Sequence, residues 1–334
     1  MFFAELGARV VKIENARTGG DVTRNWKLPS ESADAPTSAY YQSVNYGKET
    51  RLLDLSAPGH YAEVLDLIDR ADVVISNFRP ASARKLKLDA ATLRTRNPRL
   101  IYAQLYGFGP DDDRPAFDVV LQAEAGFLHL TGHSGAPPAK MPVALIDLLA
   151  AHQLKEGILL ALWQRERSGQ GATVSSSLLA AALASLANQA TNWTIAGQIP
   201  QRMGTRHPNI APYGDLFRCS DGKEVVLAVG TEGHFQQLCA LLNLPELAAD
   251  DRFATNAARV RHREVLNQLL APAIEKFSID EFLEQCRKRS IPAGRIRNMR
   301  EVFEQPGAAE MMLPGGVVRS VGFSMDANPN ASET

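Results

Sequence analysis

Residues 72–76, Asp-Val-Val-Ile-Ser, are a near-continuous apolar run of strand length. A run this short and this apolar suits a strand covered on both faces, the usual condition of a parallel sheet packed between helices. Strand signals at 8–14, 50–56 and 99–107 alternate with helical spacing at 58–71 and 81–96. In the first helical segment Tyr61, Val64, Leu65, Leu67 and Ile68 carry the apolar pattern. The β-α-β-α-β order predicts an α/β fold, a parallel sheet with covering helices. A long helix is expected from about Asp147 to Arg167, stopping at Ser-Gly-Gln-Gly 168–171, where glycine lets the backbone leave the helix. Residues 172–193 begin as a strand and continue as an Ala-rich helix.

The texture changes near residue 200. Prolines and turn residues lead to a hairpin pattern around Asp221-Gly222, then to helical segments at 232–242, 258–275 and 279–289. A second, smaller domain is expected at 200–295. The polar end, Asn-Pro-Asn-Ala-Ser-Glu-Thr, is expected to be disordered.

A chain of 334 residues can bury a sizeable core without staples. Its net charge of −1 supplies no global field toward nucleic acid or membrane, so an anionic ligand needs a local basic cluster. The three cysteines, Cys219, Cys239 and Cys286, are far apart and form no C-x-x-C pair, which suits a reducing compartment. No apolar stretch approaches the ~18 residues of a membrane span, and the start lacks a signal-peptide pattern. A cytoplasmic protein without membrane or nucleic-acid partners is expected. The seven histidines show no metal-ligand spacing, so no metal site is expected. Gly-Phe-Gly-Pro at 107–110 lacks the third glycine of a dinucleotide loop, and Gly-His-Ser-Gly at 132–135 is not a nucleophile elbow.

Two carboxylates stand where apolar patterns begin. Asp147 follows Val143, Ala144, Leu145 and Ile146, and precedes the long helix. It reads either as a helix N-cap or as a functional carboxylate that the positive helix start keeps ionised. In the second reading it could attack a thioester and form an acyl-aspartyl anhydride, splitting one acyl transfer into two easier steps. Asp118 opens a second helical pattern with the same ambiguity, and Glu124 lies in that stretch. Arg79, Arg84, Lys85 and Lys87 follow the buried strand 72–76. Ligands of open α/β sheets sit outside the carboxyl ends of strands, so these cations are either a phosphate site or a solvated helix face. Arg202 and Arg206 are either clamps for a substrate carboxylate or solvated surface.

Several stretches, taken in order, resemble one known family. They include ELGARVVKIEN with GGDVTRNW, YYQSVNYGKETRLLDLSAPG, ADVVISNFRP with NPRLIYAQLYGFG, AFDVVLQAEAGFLHLTG, PVALIDLLAAHQLKEGILLALWQRERSGQGATVSSSLLAAAL and IPAGRIRNMREVF. The chain resembles family III CoA-transferases, the CaiB/BaiF group, over nearly its whole length. That resemblance implies a Rossmann-like large domain built from residues 1–199 and a return segment at 296–334, with the smaller α+β domain at 200–295. It also implies a homodimer of interlocked rings. Coenzyme A would be a substrate, with no tightly bound cofactor and no metal. Asp147 would be the nucleophile, exchanging an acyl-CoA and a carboxylic acid through an aspartyl anhydride and an aspartyl-CoA thioester. Asp118 would be a positioning or electrostatic residue. Contacts to CoA would fall on Leu53, Asn77, Phe78 and Lys85, with Arg84 beside it, and on Asn15, where some members carry arginine.

Racemases of the same fold place a histidine just before the Asp118 position; this chain has Ala116 and Phe117 there. Family members also begin with a strand and an Ala-Gly-Pro loop ahead of the helix in which this chain starts, and they continue beyond its end. Truncation at both ends is therefore expected, and a non-catalytic CoA-binding paralogue is the third reading.

Overall fold

The computed structural model describes residues 1–325; the terminal stretch expected to be disordered lies outside the described residues. The chain divides into two compact units, Met1–Ala71 with Arg297–Thr334, and Asp72–Ile296.

In the first unit, strand β1 (Val10–Asn15) pairs in parallel with β2 (Lys48–Leu53), and α1 (Pro58–Asp69) follows. The register sets Asn15 opposite Leu53 at the carboxyl ends. Glu14 is buried beside them. It accepts from Arg24 Nε at 2.8 Å, the Tyr41 hydroxyl at 2.7 Å and the Asp21 N–H at 2.9 Å. Burial alone would raise its pKa, but Arg24, the Asp21 N–H, Tyr41 and Lys12 together lower it to about 2. A fixed negative charge thus holds the 16–25 loop against the strand that ends in Asn15.

In the second unit, β3 (Val73–Ser76), β4 (Ile101–Tyr106) and β5 (Thr173–Ser177) form a parallel sheet in that order. The parallel strands thus belong to two sheets rather than the single one expected. The residues explain why β2 is not a doubly covered central strand: it carries Lys48, Glu49, Thr50 and Arg51. By contrast Ile101, Tyr102, Ala103 and Gln104 of β4 are all buried.

The expected helix at 81–96 is two. α2 (Pro80–Lys85) ends where Lys87 takes a positive φ, and α3 (Ala90–Arg96) restarts on Asp89, which accepts from the Thr92 N–H at 3.1 Å. Next come α4 (Asp118–Glu124), the long α5 (Leu145–Ser168) and α6 (Leu178–Ala184). α5 stops at Gly169, whose φ of 70° is left-handed. Its far end is tied to the sheet by buried Arg165, which donates to Asp72 Oδ1 at 2.8 Å and to the Arg99 carbonyl at 3.3 Å. α5 packs on β4, β5 and α6.

This unit has two separate hydrophobic cores. One joins Phe108, Leu121, Ala125, Ile146, Ala150, Leu178, Ala181 and Ala182. The other lies within 217–291, beneath an antiparallel sheet of β6 (Tyr213–Arg218), β7 (Glu224–Ala228) and β8 (Ala293–Arg295). The expected hairpin is there: Asp221-Gly222 sits in its turn, and the Cys219 N–H reaches the Lys223 carbonyl at 2.9 Å. β8 was not expected, because three residues around Gly294 carry no alternation to read. The helical stretch at 258–275 is broken at His262 into α7 (Asn256–Arg261) and α8 (Arg263–Ile274). All three cysteines are unpaired and buried in this second core.

Gly171 lies just before β5, and its N–H bonds the Pro98 carbonyl at 2.8 Å. A Cβ there would stand 2.0 Å from the Leu100 carbonyl oxygen, a backbone atom that cannot swing aside. Gly171→Ala should therefore destabilise the second unit by about 2–3 kcal/mol, the upper part of the overpacking range. Urea unfolding checks this, and an unchanged midpoint would contradict it.

Candidate active site

Asp147 and Asp118 meet, but neither is an N-cap. The N-cap of α5 is Ala144, and Asp147 is the third residue of the first turn. The N-cap of α4 is Phe117, and Asp118 is the first helical residue. Local spacing alone cannot make this distinction, because capping residues and first-turn acids occupy adjacent positions.

The cap of α5 comes from the other helix. Asp118 Oδ1 accepts the Ile146 N–H at 2.7 Å, satisfying one of the donors a helix start leaves open. Such a cap contributes about 1 kcal/mol. Asp118 Oδ2 accepts the Gln122 side-chain amide at 2.6 Å, and Gln122 Oε1 accepts the Met141 N–H at 2.9 Å. Gln122 is fully buried, so this chain of bonds is shielded from water. The Ile146 side chain is also fully buried, in the core that joins α4, α5 and α6. Asp147 is the next residue along. Its backbone is therefore held from two sides, by a buried side chain and by a capped N–H.

The Asp147 carboxylate makes no hydrogen bond or ion pair among the described residues. The residue keeps solvent-exposed surface, while neighbouring atoms strip part of the carboxylate's hydration. That desolvation, and then the negative charge of Asp118, raise its pKa above the ordinary aspartate value. The helix start would have pulled the other way. A helix dipole contributes about 0.3–1 kcal/mol to a nearby charge. Desolvation and the like charge make Asp147 the more basic for its surroundings. Glu124 turns to Arg114, at 3.8 Å.

The basic segment follows β3. Asn77 and Phe78 leave its carboxyl end, both exposed. Two buried side chains of β4 pin the segment. Gln104 donates to the Phe78 carbonyl at 3.1 Å, and the Tyr102 hydroxyl donates to the Leu88 carbonyl at 2.9 Å. Arg79, Arg84, Lys85 and Lys87 are all exposed and have no ion pair among the described residues. Asn15 and Leu53 belong to the first unit. Leu53 is buried, and Asn15 Oδ1 accepts the Arg17 N–H at 3.0 Å, capping a short 3₁₀ turn.

Arg206 is occupied: it pairs with Glu264, and its Nε lies 3.3 Å from buried Asp215. Arg202 donates to the His129 carbonyl at 3.0 Å. Gln122, Gln104 and Tyr102 were missed in the sequence. Their signal was a polar group at an otherwise apolar position, visible only once the pattern around it is known to be buried. Among the described residues no group of His, Cys, Asp and Glu side chains is arranged to hold a metal ion, and no helix is long and apolar enough to cross a membrane.

Comparison with known proteins places the chain in a family. The profile of CoA-transferase family III matches residues 1–315. A succinate–glutarate CoA-transferase of Agrobacterium fabrum is 39% identical over 91% of this chain and 76% of its own length. An acetyl-CoA:oxalate CoA-transferase of Acetobacter aceti is 34% identical over 97% of this chain and 82% of its own. The crystal structure of a CaiB/BaiF family protein from Brucella suis superposes with a TM-score of 0.80 at 35% identity, covering 97% of this chain and 87% of that one. The chain belongs to CoA-transferase family III, and it is an enzyme of the CoA-transferase class.

The raised pKa of Asp147 has a consequence for stability. A carboxyl whose pKa is higher folded than unfolded costs nothing when both states are protonated; the cost appears as pH rises through the unfolded value and persists above the folded one. Asp147→Asn should therefore melt at the same temperature as the parent or higher at pH 7, with the gain vanishing below pH ~3.8, the ordinary aspartate value. Scanning calorimetry at the two pH values reads this directly. A lower melting temperature at pH 7 would contradict it.

Proposed function

We propose that the chain moves CoA from an acyl-CoA to a carboxylic acid with Asp147 as the nucleophile. What carries this reading is the pairing just described: a solvent-reachable, unpartnered carboxylate of raised basicity, on a helix start that Asp118 and Ile146 hold in place. An Asp147 oxygen attacks the thioester carbonyl, the C–S bond breaks, and CoA leaves as thiolate with Asp147 in a mixed anhydride. The thiolate then attacks the Asp147 carbonyl and expels the donor acid, leaving an aspartyl-CoA thioester. The acceptor carboxylate attacks that thioester, and the thiolate released takes the acceptor acyl group from the second anhydride. Asp147 ends as it began, and no electrons or net protons are exchanged. Asp118 positions the nucleophile and, after desolvation, adds to its basicity.

Coenzyme A is a substrate in this scheme. Asn77, Phe78, Arg84 and Lys85 bind it at the carboxyl end of β3. The relatives named for succinate, glutarate and oxalate favour a dicarboxylic acid as donor or acceptor. The three unpaired cysteines fit a cytoplasmic setting.

A homodimer is part of the proposal. α5 exposes Leu148, Leu159, Leu160 and Trp163 on the side away from its buried Ile146, Ala150, Leu154 and Ile158, and Leu183 of α6 is exposed as well. Large apolar side chains exposed together on one helix side mark a surface that another chain covers. Light scattering should give twice the chain mass; a monomer would remove this part of the proposal.

The reaction is tested by CoA exchange between succinyl-CoA and glutarate, oxalate or a monocarboxylic acid. Asp147→Asn should lose at least ~10³-fold in rate while still binding CoA, in keeping with loss of a covalent nucleophile. The rate should fall on the acid side as Asp147 is protonated. Asp118→Asn, which removes the like charge, should move that acid limb to lower pH. Native rates in Asp147→Asn would defeat the proposal.

A further inference from the structure

We propose that Lys87 is a phosphate ligand of the bound coenzyme, a role distinct from the contacts assigned above and resting on the CoA reading of this site. Lys87 stands just past the end of α2 with a φ of 53°, in the left-handed region. Glycine takes that conformation without strain, whereas a side chain crowds the backbone there. The conformation is imposed from both sides. The Lys87 N–H bonds the Arg84 carbonyl at 3.0 Å and the Leu88 N–H bonds the Ala83 carbonyl at 2.9 Å, the closure that ends a helix on a left-handed residue. Ala83 and Leu88 are buried, and the Leu88 carbonyl is held by Tyr102. The backbone therefore stays left-handed whatever the side chain, and glycine would serve the fold better.

Among the described residues, four that are not glycine have positive φ: Lys87, Ala187, Asn243 and Ser290. Lys87 alone among them is charged, and it lies beside Arg79, Arg84 and Lys85. Residues 77–88 contain these four cations and no carboxylate. None of the four is neutralised by an ion pair among the described residues. An exposed, unneutralised charge on a strained backbone, within a segment of four cations, is the pattern of a residue retained for binding. A phosphate, with its charge and its several acceptor oxygens, matches an ammonium with three rotatable donors.

The test is calorimetric binding of CoA, dephospho-CoA and pantetheine to the full chain, as wild type, Lys87→Gly, Lys87→Gln and Lys87→Arg. Lys87→Gly should melt at a higher temperature than wild type yet bind CoA roughly tenfold more weakly, the loss expected for one charge-assisted contact. Lys87→Gln should weaken binding equally without the gain in stability, and Lys87→Arg should retain affinity. The penalty should disappear with dephospho-CoA if the ligand is the 3′-phosphate, or only with pantetheine if it is the diphosphate. Wild-type affinity for CoA in both Lys87→Gly and Lys87→Gln would overturn the role of Lys87. Wild-type protein that binds CoA no better than pantetheine would instead overturn the reading of the whole basic segment as a phosphate site.

Discussion

The hydrogen bond from the Ile146 N–H to the Asp118 carboxylate joins everything that matters in the site. It is a helix cap, but one supplied by another helix, so it fixes the start of α5 relative to α4 rather than to its own preceding loop. It places a negative charge close to Asp147. It also leaves Asp147 with no capping duty, so the carboxylate proposed as the nucleophile is free of hydrogen-bond partners among the described residues. Had Asp147 been the cap, its oxygens would have been occupied by backbone N–H groups that lower its basicity. In the proposed reaction the two aspartates divide holding from reacting.

Much of this was legible beforehand. The alternation of short apolar runs with helical spacing placed β1 to β5 near their observed limits, since both periodicities are written directly into side-chain order. Gly169 marked the end of α5, and Asp221-Gly222 marked the hairpin. The family was legible from a series of segments in order, and the match over residues 1–315 agrees. The two carboxylates standing where apolar patterns start, Asp118 and Asp147, lie at helix starts joined by a hydrogen bond.

What could not be read was set by contacts between distant residues. Asp118 reaches Ile146 across 28 positions, and no local rule links them. Gln122, Gln104 and Tyr102 act on backbone groups far along the chain and, for Gln122, on Asp118 as well, partners that the local side-chain pattern does not name. The break at Lys87 was hidden because lysine is an ordinary helix former, while glycine is the residue that announces a left-handed stop. The desolvation of Asp147 and the charge of Asp118 beside it, which raise its pKa, are not visible without the fold. Arg206, a candidate clamp, proved to be spent on Asp215 and Glu264.

The central claim is that an acyl group passes through an oxygen of Asp147. The most direct measurement is peptide mass mapping after the full protein meets succinyl-CoA without acceptor and is quenched with borohydride. An activated ester at Asp147 would be reduced there to homoserine, in the peptide holding residue 147 and in no other, and the change would be absent from Asp147→Asn. Unmodified residue 147 in protein that is turning over, or reduction at another carboxylate, would contradict it.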